Sequence, residues 1–247
     1  MNKLRVVAFQ APELINDIDG ALDYILNAAN EARNEMADIL LFPECFLQGY
    51  IVEQSHLKQN ALDVNSKVLK DVLRRLSNVK PTIVLGFIEL SKGLFYNSAA
   101  IIEQGSLRGV YRKTHLTGGE GLFSPGSEYP VFVQNGVTFG INICYDTQFA
   151  EAASKVAAQG AELLLVPAQN MMRKESAEKW KDLHNQIRAE RAKESKMWLV
   201  SSDVTGSRDE HRIGYGPTSV INPQGNVVEQ VPLLQNGSVV ADIPSSR

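Results

Sequence analysis

Cys144 is one of two cysteines among 247 residues, and its position could let its sulfur act as a nucleophile. The alternating run Val137 to Ile143 reads as a strand that leads straight into it. Phe149, Ala152, Ala153, Val156 and Ala157 then mark one face of a helix, with Gly160 as its stop. Most unpaired cysteines pack as small hydrophobes. A thiol at a strand-to-helix turn differs, because the positive end of the helix dipole favours thiolate and the sulfur sits at the edge of a layer. In that geometry the backbone N–H of Tyr145 is a donor for a developing oxyanion.

Such a nucleophile needs a base that takes its proton and returns it to a departing nitrogen. Glu44 follows the buried run Ile39-Leu40-Leu41-Phe42 and Pro43, an unusual place for a surface glutamate. His115 is the alternative, since it also stands near a strand end, whereas His56, His184 and His211 lie in polar or helical surroundings. Lys113, at the end of the run from Val110, could stabilise the negative charge on sulfur or oxygen as a compact ammonium.

The elements that must carry these groups alternate. Leu4 to Gln10 reads as a strand, and Ile18, Leu22, Ile25, Ala29 and Ala32 as a helix face. After the strand at Ile39, a second helix runs through Val68, Leu69, Val72, Leu73 and Leu76. Thr82 to Ile88 and Phe95 to Ile102 read as paired strands. Val131 to Gln134 and the strand from Val137 flank Asn135-Gly136, a strong hairpin signal. Strands follow at Leu163 to Val166 and Met197 to Ser202, separated by one long charged helix through Trp180, Leu183, Ile187 and Arg191. Thr218 to Ile221, Asn226 to Gln230 and Ser238 to Ile243 close the chain. The alternation predicts an α/β fold, the hairpins a mixed sheet, and the lack of any linker or repeat a single domain over 1–247. Glu44, Lys113 and Cys144 all fall at strand ends, where open α/β sheets place ligands.

Composition narrows the function classes. A net charge of -3, from 25 Lys and Arg against 28 Asp and Glu, gives no basic footprint for nucleic acid or an anionic membrane. No apolar run approaches the roughly 18 residues of a spanning helix. Two distant cysteines form neither a disulfide framework nor a zinc pattern, which fits a reducing, cytoplasmic setting.

Phe42-Pro43-Glu44, Tyr111-Arg112-Lys113-Thr114-His115-Leu116 and Asn142-Ile143-Cys144-Tyr145-Asp146 together resemble the three signature segments of the nitrilase superfamily, the carbon–nitrogen hydrolases. Secondary cues extend the resemblance along nearly the whole chain, among them Tyr96-Asn97-Ser98-Ala99, Phe123-Ser124-Pro125-Gly126 and Arg188-Ala189-Glu190-Arg191-Ala192.

The resemblance implies an αββα sandwich in which Glu44 is the general base, Lys113 stabilises the tetrahedral intermediate and Cys144 is the nucleophile. It also implies a second, supporting glutamate, either Glu120 or Glu128, and a homodimer or larger homo-oligomer. It implies no cofactor and no metal. Cys144-Tyr145-Asp146 is similar to the amidase and carbamoylase branches, which favours a small carboxamide or N-carbamoyl substrate over a nitrile. A catalytically idle, small-molecule-binding member is the alternative. Gln148 stands where these branches usually carry Arg, which argues against a dicarboxylate monoamide unless another cation substitutes. The family's pocket walls often arise in the segment holding Asn170, Met171, Met172 and Arg173. It therefore implies Asn170, Met171 and Arg173 as pocket residues beside Gln148, with Arg173 as the substitute cation.

Overall fold

A computed structural model of the chain describes residues 3–245; Met1, Asn2, Ser246 and Arg247 of the expected 1–247 domain lie outside the described residues. In chain order the first half comprises β1 (Lys3–Pro12), α1 (Ile18–Glu31), β2 (Ile39–Leu41), α2 (Gln54–Asn60), α3 (Lys67–Arg75), β3 (Thr82–Ser91), β4 (Leu94–Glu103) and β5 (Ser106–Arg112). The second comprises β6 (Val131–Gln134), β7 (Val137–Ile141), a 3₁₀ turn (Cys144–Gln148), α4 (Ala150–Ala157), β8 (Leu163–Pro167) and β9 (Met172–Arg173). It continues with α5 (Lys174–Trp180), α6 (Leu183–Ser195), β10 (Trp198–Ser207), β11 (Arg212–Tyr215), β12 (Ser219–Ile221), β13 (Val227–Gln230) and β14 (Gly237–Pro244).

Local chemistry sets these elements. Asp17 caps α1 by accepting from the Gly20 N–H at 2.8 Å, and Ser66 caps α3 by accepting from the Leu69 N–H at 3.1 Å. The β6–β7 hairpin turns on Asn135 and Gly136, whose φ values of 50° and 82° are those a primed turn requires.

The strands form two sheets. One runs β5-β4-β3-β2-β1, with β14 antiparallel to β1; the other runs β6-β7-β8-β10 and continues through β12 to β13. Parallel pairs at β1–β2, β2–β3, β7–β8 and β8–β10 combine with antiparallel hairpins, so the sheets are mixed, as expected. Strand β10 joins them: Trp198–Ser202 pair with β8, and Asp203–Thr205 cross to pair with Gln10–Pro12 of β1.

Alternation along each strand divides the apolar residues among three layers of core. Leu4, Val6 and Ala8 of β1 face Phe139, Ile141, Leu163 and Val200 of the opposing sheet. Val7 and Phe9, on the other face of β1, pack with Leu22 and Ile25 of α1 and Leu69 and Val72 of α3. On the far side Leu164, Val166 and Leu199 pack under Ala153 and Val156 of α4 and Ala192 of α6. Helix, sheet, sheet, helix is the αββα order. Gly140 is what lets α4 sit so close, because a Cβ there would stand 2.3 Å from Val156 Cγ1.

Two expectations change. The single charged helix through Trp180 is two helices, α5 and α6, separated at Lys181 and Asp182. The helix after Cys144 does not begin at once: a 3₁₀ turn occupies Cys144–Gln148 and α4 starts at Ala150.

Candidate active site

Glu44 follows β2, Lys113 follows β5, Cys144 follows β7 and Asn170 follows β8, so one end of the two sheets gathers all four. The Glu44 backbone is wedged between strands. Its N–H donates to Ala168 O at 3.2 Å, and β3 passes so close that a Cβ on Gly86 would lie 2.2 Å from Pro43 O and 2.7 Å from Glu44 Cα. Gly86 therefore has to be glycine. The Lys113 N–H donates to Asn97 O at 2.8 Å, and the Gly126 N–H donates to Lys113 O at 2.7 Å.

The charged groups meet in a buried cluster. Lys113 Nζ lies 2.8 Å from Glu44 Oε1 and 2.9 Å from Glu120 Oε2. Asn97 Nδ2 donates to both carboxylates, at 2.6 Å to Glu44 and 2.9 Å to Glu120. Glu120 also accepts from the Thr117 N–H at 2.8 Å. Glu120 is therefore the second glutamate of the cluster. Glu128 lies apart, lining a separate cavity with Glu89 and Arg112.

Cys144 occupies a strained corner, with φ of 43° in the left-handed region that L-residues rarely adopt. Burial pushes its thiol well above the ordinary value; the Glu44 charge adds to this and Lys113 opposes it. This corrects the dipole-favoured thiolate, because the helix that would supply the dipole starts six residues later, at Ala150. The resting sulfur carries its proton and needs a base. Burial likewise raises the Glu44 carboxyl, against the pull of Lys113. Lys113 feels burial in the opposite sense, but the facing Glu44, Cys144 and Glu120 overbalance it, so the ammonium keeps its proton.

Asp146, two residues after the cysteine, fastens the lysine segment to the cysteine turn. Its buried carboxylate accepts from Tyr111 Oη at 2.8 Å and from the N–H groups of Ile143 and His115, each at 2.8 Å. His115, the alternative base, is held by this network: its ring faces Asp146 at 3.2 Å and Glu151 at 3.4 Å and stacks on Phe149. Among the described residues it is absent from the lining of the cavity that holds Cys144.

That cavity measures about 460 Å³. Glu44, Lys113, Cys144 and Tyr145 line it, together with the expected Gln148, Asn170, Met171 and Arg173. Arg173 is exposed, at the N-cap of α5. Asn170 Oδ1 lies 3.7 Å from the Cys144 sulfur, and its backbone N–H donates to the buried Asp203 at 3.0 Å. Asp203 in turn pairs with buried Arg188 at 3.2 Å.

Sequence reading missed Asn97 and Gly86 as parts of the site, and with them Asp203, Trp180 and His184. A glycine inside the apolar strand Thr82 to Ile88 was a signal that pointed to a close backbone approach. Asn97 lay within a recognised segment, but nothing in its spacing tied it to two distant glutamates.

The carbon-nitrogen hydrolase family model matches residues 5–247. The chain belongs to the carbon–nitrogen hydrolase family. An (R)-stereoselective amidase of a Pseudomonas species is 31% identical over 192 residues, covering 77% of this chain and 68% of the relative. The glutamine-dependent NAD(+) synthetase of Acinetobacter baylyi is 30% identical over 94% of this chain, which spans only 42% of that enzyme's length. Among solved structures, an amidase from Nesterenkonia sp. superposes with a TM-score of 0.84 at 25% identity, covering 99% of this chain and 91% of the amidase. A variant of that amidase carries the acetamide moiety of fluoroacetamide covalently at its active-site cysteine. Among the described residues no helix is long and apolar enough to cross a membrane.

Proposed function

We propose that this protein hydrolyses a small carboxamide or N-carbamoyl compound through a thioester on Cys144. The observation that carries the reading is the buried Lys113 ammonium between the Glu44 and Glu120 carboxylates, in the wall of the cavity that also holds the Cys144 thiol. The active-site cysteine of a Nesterenkonia amidase variant, which bears the acetamide moiety of fluoroacetamide, supports a cysteine nucleophile here.

Each step follows from the resting charges. Glu44 takes the proton from the Cys144 thiol as the sulfur attacks the carbonyl carbon, and the carbonyl π pair moves to oxygen. Lys113 Nζ and the Tyr145 N–H hold that oxyanion. The tetrahedral intermediate collapses, the C–N bond breaks, and the nitrogen leaves as ammonia or an amine with the proton from Glu44. The free Glu44 carboxylate then takes a proton from water, hydroxide adds to the thioester, and the sulfur leaves with that proton restored. A carboxyl raised by burial suits both halves, since a base is most effective when its pKa approaches the working pH. Glu120 and Asn97 act as positioning residues, holding Lys113 and the Glu44 oxygen.

The test is an ammonia-release screen across carboxamides, N-carbamoyl amino acids and nitriles, with Cys144→Ala as blank. Turnover on an amide or carbamoyl compound is expected, lost in Cys144→Ala and reduced about 10²–10⁴-fold in Glu44→Gln. Ammonia release that survives in Cys144→Ala would overturn the assignment. Exclusive turnover of nitriles would favour the nitrile reading, and binding of amides without any hydrolysis the idle one. We extend the reading to a cytoplasmic homodimer or larger homo-oligomer, supported by the two distant cysteines and by the family resemblance.

A further inference from the structure

Beyond the reacting groups, the cavity wall is built by α5 and α6. Trp180 at the end of α5 and His184 in the first turn of α6 stack with ring centroids 5.7 Å apart and planes 29° from parallel. Ile187, three residues on, and Met171 extend the apolar surface. A volume of about 460 Å³ is ample for a small molecule, whose sites span roughly 300–1,000 Å³.

The charges in this wall are already matched. Arg188 is 2% exposed, and its guanidinium donates to Pro217 O at 2.7 Å and Ser201 Oγ at 3.1 Å while pairing with Asp203. Lys113 is shared by two carboxylates. Burial, and then the neighbouring Arg188 charge, push His184 down to about 3, so its imidazole is neutral near pH 7. Among the described lining residues, therefore, no buried cation awaits a substrate carboxylate. Arg173 is exposed, and a pair made in water contributes little. A carboxylate carried past it would lose its hydration without a partner.

We infer that the substrate is a carboxamide whose acyl group is uncharged, apolar and flat enough to lie against the Trp180–His184 stack. This rests on the hydrolase reading above and narrows its substrate class, setting aside dicarboxylate monoamides and N-carbamoyl amino acids. Trp180 is the specificity-determining residue.

The experiment measures ammonia release from 3-phenylpropionamide, propionamide and succinamate, and the binding of the first and last to Cys144→Ala by calorimetry. The kcat/KM for 3-phenylpropionamide is expected to exceed that for succinamate at least about tenfold, because the succinamate carboxylate must shed water without a partner. For Cys144→Ala the dissociation constant should be lower for 3-phenylpropionamide than for succinamate. Trp180→Ala should lower the ratio of kcat/KM between 3-phenylpropionamide and propionamide about tenfold, and Trp180→Phe should largely restore it. Equal losses on both substrates in Trp180→Ala, or a preference for succinamate, would overturn the inference and leave the hydrolase reading standing. Should no amide be hydrolysed while Cys144→Ala binds 3-phenylpropionamide more tightly than succinamate, the hydrolase reading fails and the pocket inference holds.

Discussion

At the scale of single residues, the site is a charge arrangement that favours chemistry over stability. Glu44 and Glu120 set two carboxyl groups against the single ammonium of Lys113 in a buried cluster, and burial is the largest influence on Glu44. A carboxyl whose folded value lies above its ordinary 4.5 binds its proton more readily folded than unfolded. Ionising it therefore lowers stability as pH rises from the ordinary value to the folded one, and the loss persists above that window. Glu44→Gln keeps an oxygen for Asn97 and Lys113 but never ionises. Its melting temperature is expected to exceed that of the natural protein at pH 7, with the gap closing as pH falls below 4.5. Calorimetry at pH 7 and pH 4 checks this, and a lower melting temperature for the variant at pH 7 would contradict it. The acid limb of kcat/KM should likewise lie above 4.5, because the base works only when ionised.

At the scale of elements, the reacting groups depend on joints between segments far apart in sequence. Asp146 is the clearest joint, tying the residues after Lys113 to the turn that carries Cys144. Asp146→Ala would leave the Ile143 and His115 N–H groups without their acceptor. Each such group costs about 1–3 kcal/mol when buried, so a loss of about 2–6 kcal/mol is expected in denaturant unfolding, with a fall in kcat. An unfolding midpoint equal to that of the natural protein would show that Asp146 does not hold the joint. The elements themselves were largely legible, because strands such as Ile39 to Leu41 are continuous apolar runs and the face of α1 repeats at helical spacing. The break between α5 and α6 was not, since Trp180, Leu183 and Ile187 keep a helical spacing straight across it. Strand β9 has two residues and α2 has seven, mostly polar, too few to impose a period.

At the scale of the whole molecule, β10 decides how the site closes. Its first part belongs to one sheet and its last residues to the other, so Asp203 stands at the crossing and can hold Asn170 beside Cys144. The proposed homodimer belongs to this scale too. Sedimentation equilibrium should give about twice the 27.2 kDa chain mass at micromolar concentration. A mass of one chain across that range would refute it.

By itself the sequence determined the α/β class and the residues at three strand ends, Glu44, Lys113 and Cys144, while the αββα layer order was implied by the family resemblance. Both signals are local: a hydrophobic period shows which face is buried, and a short motif shows where a strand stops. Which glutamate joins Lys113, the protonation of the Cys144 sulfur, and the aromatic wall beside it were decided only in three dimensions. They depend on burial and on distances between groups such as Asn97, Glu120 and Asp203, which chain order does not encode. Electrostatic energy depends on separation and on the water excluded around each charge, and both arise only when the sheets pack.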